Sequence, residues 1–132
     1  MRSELKKAGE LFFLRKDTSD VICKIDIEIS DEEERSEKGM MNRDTINDDQ
    51  GMLFILNDYI DRSFWMKDTS VSLDIIFADS FKQIFKIHKD AKPFSEEMLS
   101  SVRPVKYAIE VKAGYCDRMG ITEGDTFIFD IF

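Results

Sequence analysis

The chain has 132 residues, 42% hydrophobic and 35% charged, which is enough apolar side chain for a single packed domain spanning 1–132 and argues against disorder. Its net charge of −8 argues against a nucleic-acid backbone or an anionic membrane surface as the main partner, because both call for a basic face. No apolar run approaches the roughly 18–20 residues of a membrane span, so no membrane insertion is expected.

Residues 11–15 and 21–29 read as strands joined by the turn Asp17-Thr18-Ser19-Asp20. In the second, Cys23, Ile25, Ile27 and Ile29 alternate with Lys24, Asp26 and Glu28, giving one buried and one wet face. Ten acidic and three basic residues fall between 26 and 49, so most of the net charge is local. Ser30 with Glu33 fits a capping box, Asp31 to Glu34 fill a first helical turn, and Gly39 is a plausible stop. That short helix accounts for much of the acidity without a metal. Asn47 to Gly51 is turn chemistry, and 52–56 is an apolar run fit for a buried strand. A strand over 63–67 follows, then a bend at Asp68-Thr69-Ser70. Residues 73–78 and 83–88 predict a hairpin around Asp79-Ser80, although Ile84 and Ile87 break strict alternation. Residues 91–103 read as a loop with one helical turn at 96–100. Val105, Tyr107, Ile109 and Val111 share one strand face, 113–119 is a short helix ending at Gly120, and 126–132 is the last strand. About eight short strands with one or two short helices, and no βαβ alternation, predict a mainly β fold. Its expected form is an antiparallel sandwich or barrel of jelly-roll type.

Several strings in this order are specific. They are Gly51-Met-Leu-Phe54, Ser63-Phe-Trp-Met-Lys-Asp-Thr69, Leu73-Asp-Ile-Ile-Phe77, Ile87-His88, Val105-Lys-Tyr-Ala-Ile-Glu-Val-Lys-Ala-Gly114 and Gly120-Ile-Thr-Glu-Gly-Asp125. Together they resemble the uncharacterised prokaryotic family catalogued as domain of unknown function 192. The resemblance covers about 22–130 and leaves 1–21 as an N-terminal strand extension. It implies a compact, mainly antiparallel β fold and no established activity. Many members look exported. Two departures stand out. Relatives typically read Glu-Glu-Arg-x-x-Gly-Leu-Met; here Arg35 lies four residues before Gly39, and Ser36 stands where that arginine would fall. Exported relatives often carry a cysteine pair after the proline that follows the histidine segment. Here Phe94 follows Pro93 and the second position falls near Leu99, so that disulfide is absent.

Location and thiols follow the same reading. The apolar stretch Leu11–Leu14 is too short for a signal-peptide core, so the chain as written is expected to be cytoplasmic. It would be periplasmic or secreted if a signal has been removed. Cys23 and Cys116 read as two buried thiols, with a single disulfide as the alternative. No Cys/His spacing points to zinc, and no motif points to a cofactor.

Five residues stand out as ligand-binding candidates. Trp65 and Lys67, two apart on a strand, share a face opposite Phe64 and Met66; outward, they would suit stacking or cation–π contact. The alternative is that Trp65 fills a barrel end and Lys67 pairs with Asp68 or Asp74. Asp74 is the one charge within Leu73–Phe77 and needs a partner, either a ligand or a structural one. Glu110 lies on the polar face of its strand, solvated or paired with Asp74. His88, the only histidine, is read as a hydrogen-bonded strand-end residue or as a catalytic base. The preferred reading is a non-enzymatic module that binds a small polar or sugar-like ligand, or a protein segment, with no catalytic residues and no nucleic acid. The alternatives are a hydrolase using Asp74 or Glu110 with His88, and a structural or assembly protein that pairs through strand edges.

Overall fold

The structure is a computed structural model that describes residues 5–30 and 45–132. The helix expected from Asp31 to Gly39, with Arg35, Ser36, Met40 and Met41, lies outside the described residues. Among the described residues, nine strands occur in chain order with one short helix between the last two. They are β1 (Gly9–Leu14), β2 (Val21–Ser30), β3 (Gln50–Ile60), β4 (Ser63–Phe64), β5 (Leu73–Ala78), β6 (Ile84–Ala91), β7 (Leu99–Ser100), β8 (Val105–Lys112), α1 (Tyr115–Met119) and β9 (Thr126–Ile131).

Seven strands form one sheet in the order β6-β5-β8-β3-β2-β1-β9, and β4 pairs with β7 in a separate two-stranded sheet. The fold is mainly β, as the sequence predicts. The large sheet is mixed, because β2 and β3 run parallel while its other neighbouring pairs are antiparallel. Alternation reports which face a side chain takes and not which way its strand runs, so this pair was invisible in the sequence.

The sheet curls until its two edges touch. Gln83 bridges Thr126, the Ile84 amide donates to the Asp125 carbonyl (2.9 Å), and the Gly124 amide donates to the Ile84 carbonyl (2.7 Å). The ladder goes no further, so no barrel closes. All seven strands send side chains into the inner core, among them Phe13, Ile25, Leu53, Ile76, Ile84, Ile109 and Phe127. A second core lies on the opposite face of β3, β5 and β8, where Phe54, Ile75, Phe77 and Ala108 meet Phe64 and Met66 from the covering layer. Phe64 is wedged edge-on between Phe54 (5.3 Å) and Phe77 (5.4 Å). Central strands covered on both faces need apolar side chains on both. Hence β5 is buried at every position, whereas β1 and β2 alternate.

Other boundaries moved for local reasons. β3 runs on to Ile60 through the exposed Asn57-Asp58-Tyr59. The strand expected over 63–67 keeps only Ser63–Phe64, and the helical turn expected at 96–100 is instead the short strand β7 that pairs with it. Gly120 ends α1 as expected. It takes a left-handed φ of 76°, and the Ile121 amide donates to the Cys116 carbonyl (2.9 Å) in the helix-closing turn.

The touching edges are fastened by Asp125, which is fully buried. One carboxylate oxygen accepts the Thr122 amide (2.8 Å) and an Arg15 guanidinium N–H (3.2 Å); the other accepts the Lys16 amide (2.9 Å). Arg15 also donates to the Gly120 carbonyl at 2.8 Å. The carboxylate thus joins the end of β1 to the turn before β9. Asp125→Ala leaves two part-buried amides and a guanidinium without their acceptor, so urea denaturation should show a loss of about 2–3 kcal/mol. Arg15→Ala, at a half-exposed side chain, should cost less than half of that.

Candidate functional site

The five candidates sit on three different surfaces. Asp74 pairs with Val111 across β5 and β8 and faces the inner core. Ile75 pairs with both His88 and Glu110, so those two face the outer core with Ile75 between them. Two strand spacings separate them, about 9.5 Å along the sheet. Asp74 is therefore apart from both, and neither an Asp74–Glu110 pair nor an Asp74–His88 pair forms. His88 donates its Nε2–H to the Ser100 carbonyl (2.7 Å) and meets Phe77 edge-on at 5.8 Å. That ties β6 to the covering layer. Glu110 is buried.

Trp65 and Lys67 point away from the outer core, where Phe64 and Met66 are buried. The period-two reading of this segment holds although regular strand stops at Phe64. The Lys67 ammonium lies 5.2 Å from the centre of the Trp65 ring, so the outward cation and ring are stacked on each other.

Asp74 is 1% exposed, and its position is explained by a bulge. Leu73 pairs with Ala91 and Ile75 with His88, so β6 has one more residue than β5 at this point. Asp90 takes a left-handed φ of 54° there, and its amide donates to Asp74 Oδ1 (2.9 Å). Asp74 Oδ2 accepts the Cys116 amide at the start of α1 (3.1 Å). One carboxylate thus holds a bulge and a helix start together. The loop before the helix turns at Gly114, whose φ of 91° suits a residue without Cβ.

Two hollows flank that junction. One, of about 420 Å³, is lined by Thr45, Ile46, Val71, Ser72, Lys112 and Ala113. The other, of about 350 Å³, is lined by Asp74, Lys89, Asp90, Ala113, Gly114 and Asp117. Ala113 borders both. Lys89 pairs with Asp117 (2.7 Å), and Lys112 lies 3.7 Å from Asp48. Among the described residues, no group of three His, Cys, Asp or Glu side chains is placed to hold a metal ion.

Both cysteines are free. Burial, the Asp74 charge and a hydrogen bond to Asp74 push the Cys116 thiol well above its ordinary value. Burial also raises Cys23, against the pull of a hydrogen bond from Tyr115; Tyr115 is raised in turn by burial and by that bond.

The family model for DUF192, described as "Uncharacterized ACR", matches residues 14–129. The chain belongs to that family. Among solved structures, a Sinorhizobium meliloti 1021 protein described provisionally as a transcription regulator is 30% identical, with 96% of this chain and 98% of that chain covered and a TM-score of 0.87. A protein of unknown function from Novosphingobium aromaticivorans DSM 12444 is 28% identical, with 90% and 83% covered and a TM-score of 0.83. No curated protein matches the chain. Family membership accounts for the specific strings, but it assigns no activity to the residues within them.

Residue-level reading found Asp74 because a charge inside an apolar strand is conspicuous. It missed Ala113, Lys112 and Asp125, whose surroundings come from distant strands. Asp74→Ala should cost about 2–4 kcal/mol in urea denaturation, since one buried and one part-buried amide lose their acceptor, while Asp74→Asn should cost less because one acceptor remains. The three raised acids hold their protons more tightly in the folded state than in the unfolded one. Stability should thus be level through neutral pH and fall once the pH passes the ordinary thiol value of about 9. Cys116→Ala should shallow that fall, as read by thermal melts across alkaline pH.

Proposed function

We propose that the chain is a non-catalytic binding module that takes a small polar or sugar-like ligand in the paired hollows around Ala113. The observation that carries this reading is the lining. Hydroxyls from Thr45 and Ser72, ammonium groups from Lys89 and Lys112 and carboxylates from Asp74, Asp90 and Asp117 border two neighbouring hollows that share one small residue. Their volumes fall in the range of small-molecule sites, about 300–1,000 Å³. The hydrolase alternative, Asp74 or Glu110 with His88, loses support because Asp74 lies on the opposite face from His88 and Ile75 lies between His88 and Glu110. Transcription regulation, the role suggested for the Sinorhizobium relative, would call for a basic face if it worked by direct contact with DNA, against a net charge of −8.

Thermal-shift and calorimetric titration against monosaccharides, sugar acids and amino acids tests this. A true ligand at a hundred times its dissociation constant stabilises the fold by about 2.7 kcal/mol. Ala113→Leu, which fills the shared wall, should abolish that shift, and Lys112→Ala should weaken binding at least about fivefold with an unchanged melting temperature, since its exposed ion pair contributes little. Loss of binding in Trp65→Ala with retention in Ala113→Leu would move the site to the Trp65–Lys67 surface. No shift with any compound sinks the reading.

A further inference from the structure

The two edges of the large sheet are treated differently. At the β6 edge, pairing with β5 is interrupted by two register shifts, and the strand carries Lys86, His88, Lys89 and Asp90. Bulges and charges of this kind discourage another strand from adding. β9 has neither defence. Its register with β1 is unbroken from Gly9–Ile131 to Leu14–Thr126, and Thr126-Phe-Ile-Phe-Asp-Ile131 holds one charge and no proline. On its far side, the described pairing is the single bridge at Thr126. Ile128 and Ile131 are each 52% exposed. Among the described residues, this is an apolar strand edge with no ladder beyond Thr126.

We infer that β9 is a self-association edge, and that its occupant is β9 of a second copy of this chain, paired antiparallel about Phe129. The register shows why a second copy fits. Lys24, Phe12 and Ile128 lie in one row across β2, β1 and β9, and Asp26, Glu10 and Asp130 lie in another. A two-fold axis at Phe129 sets Ile128 of one copy opposite Asp130 of the other. The row carrying the cation then continues into the row carrying the acids, and the two Asp130 carboxylates do not face each other. Like charges directly opposite would oppose pairing. The surrounding acids are also already compensated: Lys7 and Lys24 lie 3.3 and 3.2 Å from Glu10, and Lys7 lies 3.2 Å from Asp26. The net charge of −8 therefore does not concentrate at this edge. Such a dimer is isologous and makes one continuous sheet from two.

Sedimentation or light scattering over a concentration series reads the outcome. The wild-type chain should move from 15.4 kDa toward twice that mass as concentration rises. Ile128→Asp sets an acid against Asp130 of the other copy and should raise the dimer dissociation constant at least about tenfold, while circular dichroism at concentrations below dimerisation shows the strand content of the wild-type monomer. Adding Asp130→Lys to Ile128→Asp restores an opposite-charge pair in this register only, and should recover the dimer. A wild-type chain that stays at 15.4 kDa throughout overturns the inference. So does a dimer indifferent to Ile128→Asp, which would use another surface.

Discussion

A carboxylate buried in a central strand has to be compensated where it lies, and Asp74 meets that demand with the backbone of two other elements. Desolvating a carboxylate without partners costs several kcal/mol, far more than a typical hydrogen bond returns. The two amides that satisfy Asp74 belong to segments with little regular structure of their own: a bulge at Asp90 and a five-residue helix beginning at Tyr115. A helix that short is not stable alone. Its placement, the course of the Gly114 turn and the opening of both hollows around Ala113 therefore follow from one charged residue. Asp125 uses the same device at another corner, with the turn before β9 and the end of β1 in place of bulge and helix.

Much of the fold was legible in the residues. Strict alternation marked β2 and β8, and the apolar run 52–56 marked β3, because burial on one or both faces is written directly into composition. Glycine at the end of α1 was legible for the same reason: a left-handed residue leaves a chemical mark. Partner choice was not legible. The parallel β2–β3 pair and the meeting of Ser63–Phe64 with Leu99–Ser100 depend on segments far apart in sequence, and nothing local to either one specifies them.

The site shows the same division. That Trp65 and Lys67 turn outward follows from a period of two and from apolar neighbours. That they stack on each other required the side-chain geometry. Asp74 and Glu110 looked equivalent as acids on neighbouring strands, yet one residue of register places them on opposite faces. Lys112 and Ala113 carry no unusual signature and gain significance only because β5, β8 and α1 converge on them.

The pairing of β1 with β9 has a consequence for the order of events in the cell. Gly9 finds Ile131 and the Phe132 amide donates to the Ala8 carbonyl, so a strand made early must hold a place for a strand made much later. During translation, the flank of β1 that β9 will cover stays open until β9 clears the ribosome. The sheet cannot be completed strand by strand in the order of synthesis, and the nascent chain passes through a stage with an open flank that chaperones or neighbouring nascent chains can engage. Joining the start of β1 to the end of β9 with a short linker and cutting the chain at an exposed turn would let that strand pair form early instead of late.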